Sequence, residues 1–234
     1  MFSRFFRFPS AVKGPTVEAE DPGKTLWNLV KDDDVDEDED DVTEKVKNFF
    51  KTYSNINKSV VNWANPDDND STPLYLTATE ESYNPVVTRM LISKRADVNK
   101  ANRDGETPLY RAAADGLSDV VWRLIFEHAD VNKANNNGET PLYRAAADGL
   151  SDVVRLLIHE DADVNKANNN GETPLDIARK NRDYYKPLNK HKHELYASIV
   201  KELKKLKKRG GSKNLKKTKR RHNKKRKSVK KKTN

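Results

Sequence analysis

The seventeen residues GETPLYRAAADGLSDVV stand at Gly105 to Val121 and again, unchanged, at Gly138 to Val154, 33 residues later. GETPLDIA begins after a further 33 residues at Gly171, and STPLYLTA precedes the series at Ser71. A chain that spells one short stretch at a fixed interval folds as a row of like units, each packed only on its neighbours.

Every unit carries the same punctuation. Thr140 supplies an N-cap oxygen, and Pro141 takes the first helical position, where its missing N–H costs nothing. Ala145, Ala146 and Ala147 keep a short helix narrow, and Gly149 ends it with a residue that accepts positive φ. Ser151 is expected to cap a second helix, whose Val153, Val154, Leu157 and Ile158 form an apolar stripe. One unit cannot bury that stripe alone, so the units stack to cover it. Asn99, Asn132 and Asn165 then follow an Asp-Val pair, where asparagine is expected to stabilise a hairpin turn.

TPLYRAAADGLSDVVRLLIHEDADVN, followed by KANNNGE, resembles the ankyrin repeat, whose unit opens T-P-L-H-x-A. The resemblance runs over about residues 42 to 208. It implies an all-α repeat solenoid, an ankyrin-repeat stack of helix-turn-helix pairs with β-hairpin loops and a concave face, between disordered termini. Two departures stand out. Tyr75, Tyr110 and Tyr143 replace the histidine of the family motif, and Asp176 does so in the last unit, so the hydrogen bonding of that histidine must be rebuilt or lost. The glycine usual before Ala-Asp is replaced by Arg95, His128 and Asp161. A left-handed conformation at these positions costs roughly 1 kcal/mol or more each.

Domain boundaries follow from composition. Residues 1–41 read as a disordered segment ending in an acidic run, Asp32 to Asp41, with nine acids in ten positions. Residues 42–71 read as a degenerate N-terminal capping repeat, because Val42, Val46, Phe49 and Phe50 have helical spacing and SVVNWAN echoes ADVNKAN. Complete units occupy 72–106, 107–139 and 140–172, the first two residues longer at EESYNP. Residues 173–208 form the C-terminal capping repeat, with Leu195, Ile199, Leu203 and Leu206 as the apolar stripe and Lys201, Lys204, Lys205, Lys207 and Lys208 on the remaining surface. A basic amphipathic helix for a membrane or a calmodulin-like partner is the competing reading of that segment. Residues 209–234 read as a disordered basic tail.

The net charge of +9 hides a division. Residues 201–234 hold 19 Lys and Arg against the single acid Glu202, leaving 26 basic and 35 acidic residues in the first 200. An acidic body joined to a basic end implies opposite partners, or each other. The N-terminal MFSRFFRFPS alternates Arg4 and Arg7 with Phe2, Phe5, Phe6 and Phe8. It reads as an end that docks locally, as an interfacial anchor or as a transit fragment.

Catalysis finds no support. Cysteine is absent, no run of about 18 apolar residues exists, and the five histidines include no pair at i,i+4 spacing. No G-x-S-x-G, phosphate-binding or dinucleotide-binding glycine motif is present. No metal or cofactor is therefore expected. The resemblance implies a non-enzymatic adaptor that binds protein through hairpin tips and the exposed end of each first helix. Those positions are Arg103, Asp104, Glu106, Ala114 and Asp115, then Asn136, Asn137, Glu139, Ala147 and Asp148, then Asn169, Asn170 and Glu172. The glutamates would form a ridge for a basic or repetitive partner. On the other view, stacking demands repeated caps, alanines and stripes but not repeated surface letters, which then record recent duplication.

The tail clusters Lys216, Lys217, Lys219, Arg220, Arg221, Lys224, Lys225, Arg226 and Lys227. Such clusters suit a nuclear address or a nucleic-acid backbone, and without interleaved aromatics the binding would be sequence-indifferent. They resemble the basic tails of many proteins of large DNA viruses. The expectation is an intracellular monomer with an unidentified protein partner, directed to the nucleus or to nucleic acid by its tail.

Overall fold

A computed structural model of the chain describes residues 21–31, 39–53 and 56–208. The helices are α1 (Pro22–Lys31), α2 (Glu39–Thr52), α3 (Lys58–Val61), α4 (Pro73–Leu76), α5 (Pro85–Ser93), α6 (Pro108–Ala114), α7 (Ser118–Phe126), α8 (Pro141–Asp148), α9 (Ser151–His159), α10 (Pro174–Tyr185) and α11 (Lys190–Lys208). They pack in two layers. In one, α1, α4, α6, α8 and α10 touch in that order, and in the other α2, α5, α7, α9 and α11 do. The core runs between the layers through Leu74, Leu109, Leu142 and Leu175 of the first helices and Leu91, Leu124 and Leu157 of the second, all buried.

The helix starts follow the repeated Thr-Pro. The side chains of Thr72, Thr107, Thr140 and Thr173 accept from the backbone N–H of Tyr75, Tyr110, Tyr143 and Asp176. Asp176 completes a capping box by accepting from the Thr173 backbone N–H. The second helices start differently from expectation. Leu117 and Leu150 occupy the N-cap positions of α7 and α9 with no side-chain cap bond. Ser151 does not cap α9. It is the first residue of the helix, its own N–H donates to Gly149 O at 3.0 Å, and its Oγ is buried without a hydrogen-bond partner.

The second helices of the three complete units, α5, α7 and α9, end in the same left-handed cap. Arg95, His128 and Asp161 adopt φ of 68°, 70° and 66°. Behind each, Ala96, Ala129 and Ala162 donate to the carbonyls of Leu91, Leu124 and Leu157, while the left-handed residues donate to Ile92, Ile125 and Ile158. This is the double bond of a Schellman motif, closed by a buried alanine, and it holds three bulky residues where glycine is the easier choice.

Both ends depart from expectation. Residues 22–31, placed in a disordered segment by composition, form α1, with Leu26 0%, Trp27 5% and Val30 4% exposed. The Trp27 indole N–H donates to Ser71 Oγ, 3.1 Å away, and α1 packs on α2, α3 and α4. The helix has the place of a first helix and α2 that of a second. Folded residues therefore precede Val42, and most of the acidic run stands between α1 and α2 in the sequence. Residues 1–20, 32–38 and 209–234, on which the remaining expectations of disorder fall, lie outside the described residues.

At the other end the buried stripe of α11 is Tyr196, Ile199, Val200 and Leu203, while Leu195 and Leu206 are only half-buried. Tyr196 stacks on Tyr185 of α10 at 5.7 Å, and its hydroxyl donates to Ala147 O at 2.7 Å.

The buried face of α1 generates a test. Leu26→Ala empties a fully buried site, and equilibrium urea unfolding should show a loss of about 2–5 kcal/mol. An unstructured segment would show no change.

Candidate protein-binding face

The hairpin fingers between units form no strands among the described residues, whose single isolated bridge joins Asn65 to Ser71. Asparagine builds each finger instead. Asn135 Oδ1 accepts from the backbone N–H of Asn137 at 3.0 Å and of Glu139 at 2.9 Å, and Asn102 and Asn168 repeat the pattern. The next letter reaches backwards. Asn136 donates through its backbone to Asp104 O at 2.9 Å and through its side chain to Arg103 O at 2.7 Å. Asn169 does the same to Asn137 O and Asn136 O, each at 2.9 Å. Gly105 and Gly138 admit this approach, since a Cβ there would stand 2.5 Å and 2.4 Å from the next asparagine's Oδ1. In NNN, therefore, the first letter folds the finger and the second ties it to its neighbour. The third, Asn137 or Asn170, is left exposed at the tip.

A second set of ties lies at the end of each second helix. Asp97, Asp130 and Asp163 hold the turn by accepting from the N–H of Asn99, Asn132 and Asn165, each at 2.9 Å. The asparagines work between units rather than within the turn. Asn62, Asn99 and Asn132 Oδ1 accept from the backbone N–H of Asp97, Asp130 and Asp163 at 2.6, 2.8 and 2.7 Å. Beside them Lys100, Lys133 and Lys166 donate to the carbonyls of Asn62, Asn99 and Asn132 at 2.9, 2.9 and 2.8 Å.

At the histidine position of the family motif, the tyrosines bond to the following finger. Tyr75, Tyr110 and Tyr143 donate to Glu106, Glu139 and Glu172 of the following finger at 2.8, 2.9 and 3.0 Å. Burial first, then the glutamate hydrogen bond and charge, pushes all three phenols well above the ordinary value of 10.0.

The expected contact residues are thus largely engaged within the stack. Glu106, Glu139 and Glu172 each accept from a tyrosine at Oε2, which fixes the carboxylates in place without removing their charge. Arg103 pairs with Asp70 at 2.8 Å, and Asp104 accepts from Asn69 at 2.6 Å. Asp115 accepts from Arg111 and from the Glu80 N–H, and Asp148 pairs with Arg144 at 2.7 Å. The arginines neutralise the ends of the first helices, so the face is mixed in charge. Repetition of these letters accordingly has a structural use. The tail cluster from Lys216 to Arg226 and Lys227 lies outside the described residues.

Two features escape a reading by period. The inter-unit ties join residues that are distant in sequence and carry no local signal. The exposed pair Trp122 and Phe126 of α7 begins where the seventeen identical letters stop, and that break is the signal that was available. Among the described residues no group of three or more His, Asp or Glu is placed to hold a metal ion, and no helix is long and apolar enough to cross a membrane.

The phenols give a titration with a defined sign. Their raised folded values mean that the stability they contribute is whole below the unfolded value near 10 and is lost as pH rises beyond it. Ultraviolet phenolate absorbance should therefore show a late-ionising class that appears together with loss of helical circular dichroism. Changing Tyr75, Tyr110 and Tyr143 to Phe should shrink that class.

The family described as ankyrin repeats (3 copies) matches residues 44–135 and 109–199. No curated protein matches the chain. With paired helices in two layers, Thr-Pro starts, linked fingers and a family match over most of the folded body, the chain belongs to the ankyrin-repeat family, a fold that serves protein–protein interaction.

Proposed function

We infer that the chain is a non-enzymatic adaptor that binds a protein partner across its finger tips and the adjoining ends of the first helices, with the basic tail as its address or anionic anchor. One observation carries this reading. Each finger is tied to the next by a backbone bond and a side-chain bond, so the groups left at the tips stand on a rigid edge. Groups fixed in this way lose little freedom on binding. Asn137 and Asn170 are the outward letters of that edge, and Arg111 and Arg144 border it with half-neutralised charge. With one oxygen of each glutamate held by a tyrosine, the edge offers amide and guanidinium hydrogen bonding beside carboxylates fixed in position.

The second reading is a nucleic-acid-associated protein whose tail is the active part. It rests on residues 209–234, which hold 14 Lys and Arg and no acid. Used as an address, the tail directs the chain to the nucleus.

Affinity capture from cell extract separates the two readings. Asn137→Arg combined with Asn170→Arg should reduce recovery of the protein partner at least about tenfold, the effect of one or two central contacts, with an unchanged thermal melt. Deletion of residues 210–234 should leave that recovery intact. Loss of all binding on tail deletion, with the tip variant unaffected, would instead support the nucleic-acid reading.

A further inference from the structure

The repeated units are an internal control for what the fold requires. At the 33-residue period Trp122 of α7 matches Arg89 of α5 and Arg155 of α9, and Phe126 matches Ser93 and His159. The same helix with the same Schellman end is therefore built with polar residues at both positions, so folding of the unit does not need the aromatic pair. Yet Trp122 is 48% and Phe126 36% exposed, with the rings stacked at 5.3 Å and an interplanar angle of 20°. Two large rings displayed side by side in water are unfavourable unless something covers them.

Their surroundings narrow what that cover is. A cleft of about 270 Å³ opens between α5 and α7, lined among others by Arg89, Asp119, Val120, Trp122 and Arg123. Arg123 lies over the Trp122 ring at 5.7 Å and reaches Glu127 at 3.8 Å. Arg155 pairs with Asp152, whose side chain is 81% exposed. Arg89 differs from its counterparts. Val86 stands three residues before it, where Asp119 precedes Trp122 and Asp152 precedes Arg155, and its Nε donates to Pro85 O at 3.2 Å. The face thus carries four cations, Arg89, Lys94, Arg123 and Arg155, and four acids, Asp119, Glu127, Asp152 and Glu160. A nucleic acid, an anionic lipid surface or a uniformly acidic peptide gains no net attraction from that balance. A surface turned on itself does gain. With a two-fold axis along the aromatic pair, α5 of one copy lies over α9 of the other, and Arg89 of each copy, level with the other's Arg155 by the 33-residue period, reaches the Arg155–Asp152 pair, whose acid, one turn earlier, is its more exposed member. Aromatic and arginine side chains are also the types that concentrate in interface cores.

We propose that the α5–α7–α9 outer face is an isologous contact between two copies of this chain, in which the Trp122 indole of each copy enters the other's cleft beside Val120 and Arg89. The expectation of a monomer is replaced, and the finger edge stays free on both copies. The proposal does not depend on the adaptor reading, because it concerns the opposite layer of helices.

Sedimentation equilibrium of the full chain tests it, at high salt so that the tail's charges are screened. The parent should associate to a dimer. Trp122→Arg with Phe126→His installs the letters that the next unit already carries, so the fold is retained, which circular dichroism checks; dimerisation should weaken by about thirtyfold or more, the loss of a hot-spot pair. Arg89→Glu should weaken it alone, and Arg89→Glu with Asp152→Arg should restore it. A parent that stays monomeric at every concentration overturns the proposal, as does an aromatic variant that associates like the parent. Capture of a different protein by a monomeric parent, lost in the aromatic variant, would also overturn it and assign the face to that protein.

Discussion

The hydrogen bond from the Asp130 N–H to Asn99 Oδ1, repeated from Asp163 to Asn132 and from Asp97 to Asn62, sets the distance between units on which the rest of the stack depends. Apolar burial between the helix layers is strong but non-directional, and it tolerates sliding of one unit over the next. A backbone N–H held at 2.6–2.8 Å by one side chain does not. The lysine that donates to the same asparagine's carbonyl, and the asparagine that links each finger to the one before, repeat the constraint at two further points. The bond at Asn62 survives although the sequence between the linked residues is longer there, 35 residues apart rather than 31. The geometry is kept and the loop absorbs the difference.

This division of labour determines what remains for a partner. Of the letters that repeat along the finger edge, those that look most available by charge are the ones the stack uses: Glu106, Glu139 and Glu172 under their tyrosines, Asp115 and Asp148 under their arginines. Tips that carry only Asn137 and Asn170 are modest in chemistry but fixed in position. The opposite layer shows the reverse. There the verbatim repetition ends at Val121, and the aromatic letters that follow have no counterpart in the adjacent units.

What was legible in the sequence is whatever a single unit does by itself. Thr140 with Pro141, the alanines, Gly149 and the left-handed Arg95, His128 and Asp161 all act within a few residues of where they stand, and each is found as expected. Ser151 was misread because a serine before an apolar run looks like a cap, whereas the tight turn at Gly149 draws it one position into the helix. The helix at Pro22–Lys31 was hidden by its neighbourhood: ten residues with Leu26, Trp27 and Val30 at helical spacing give a short signal beside a long acidic run. The roles of Asn99, Glu139 and Asn136 were illegible for a different reason. Their partners lie 31, 29 and 33 residues away, and only the stacked geometry brings them together.

That geometry supplies its own control. Asn99, Asn132 and Asn165 share their local sequence, but a following unit donates only to the first two, and the Asn165 side chain is exposed past the last such finger. Equilibrium unfolding of three single variants, Asn99→Ala, Asn132→Ala and Asn165→Ala, separates a tie between units from a local turn preference. The account predicts losses of about 0.5–1.5 kcal/mol for Asn99 and Asn132 and a change near zero for Asn165. Equal losses at all three positions would contradict it.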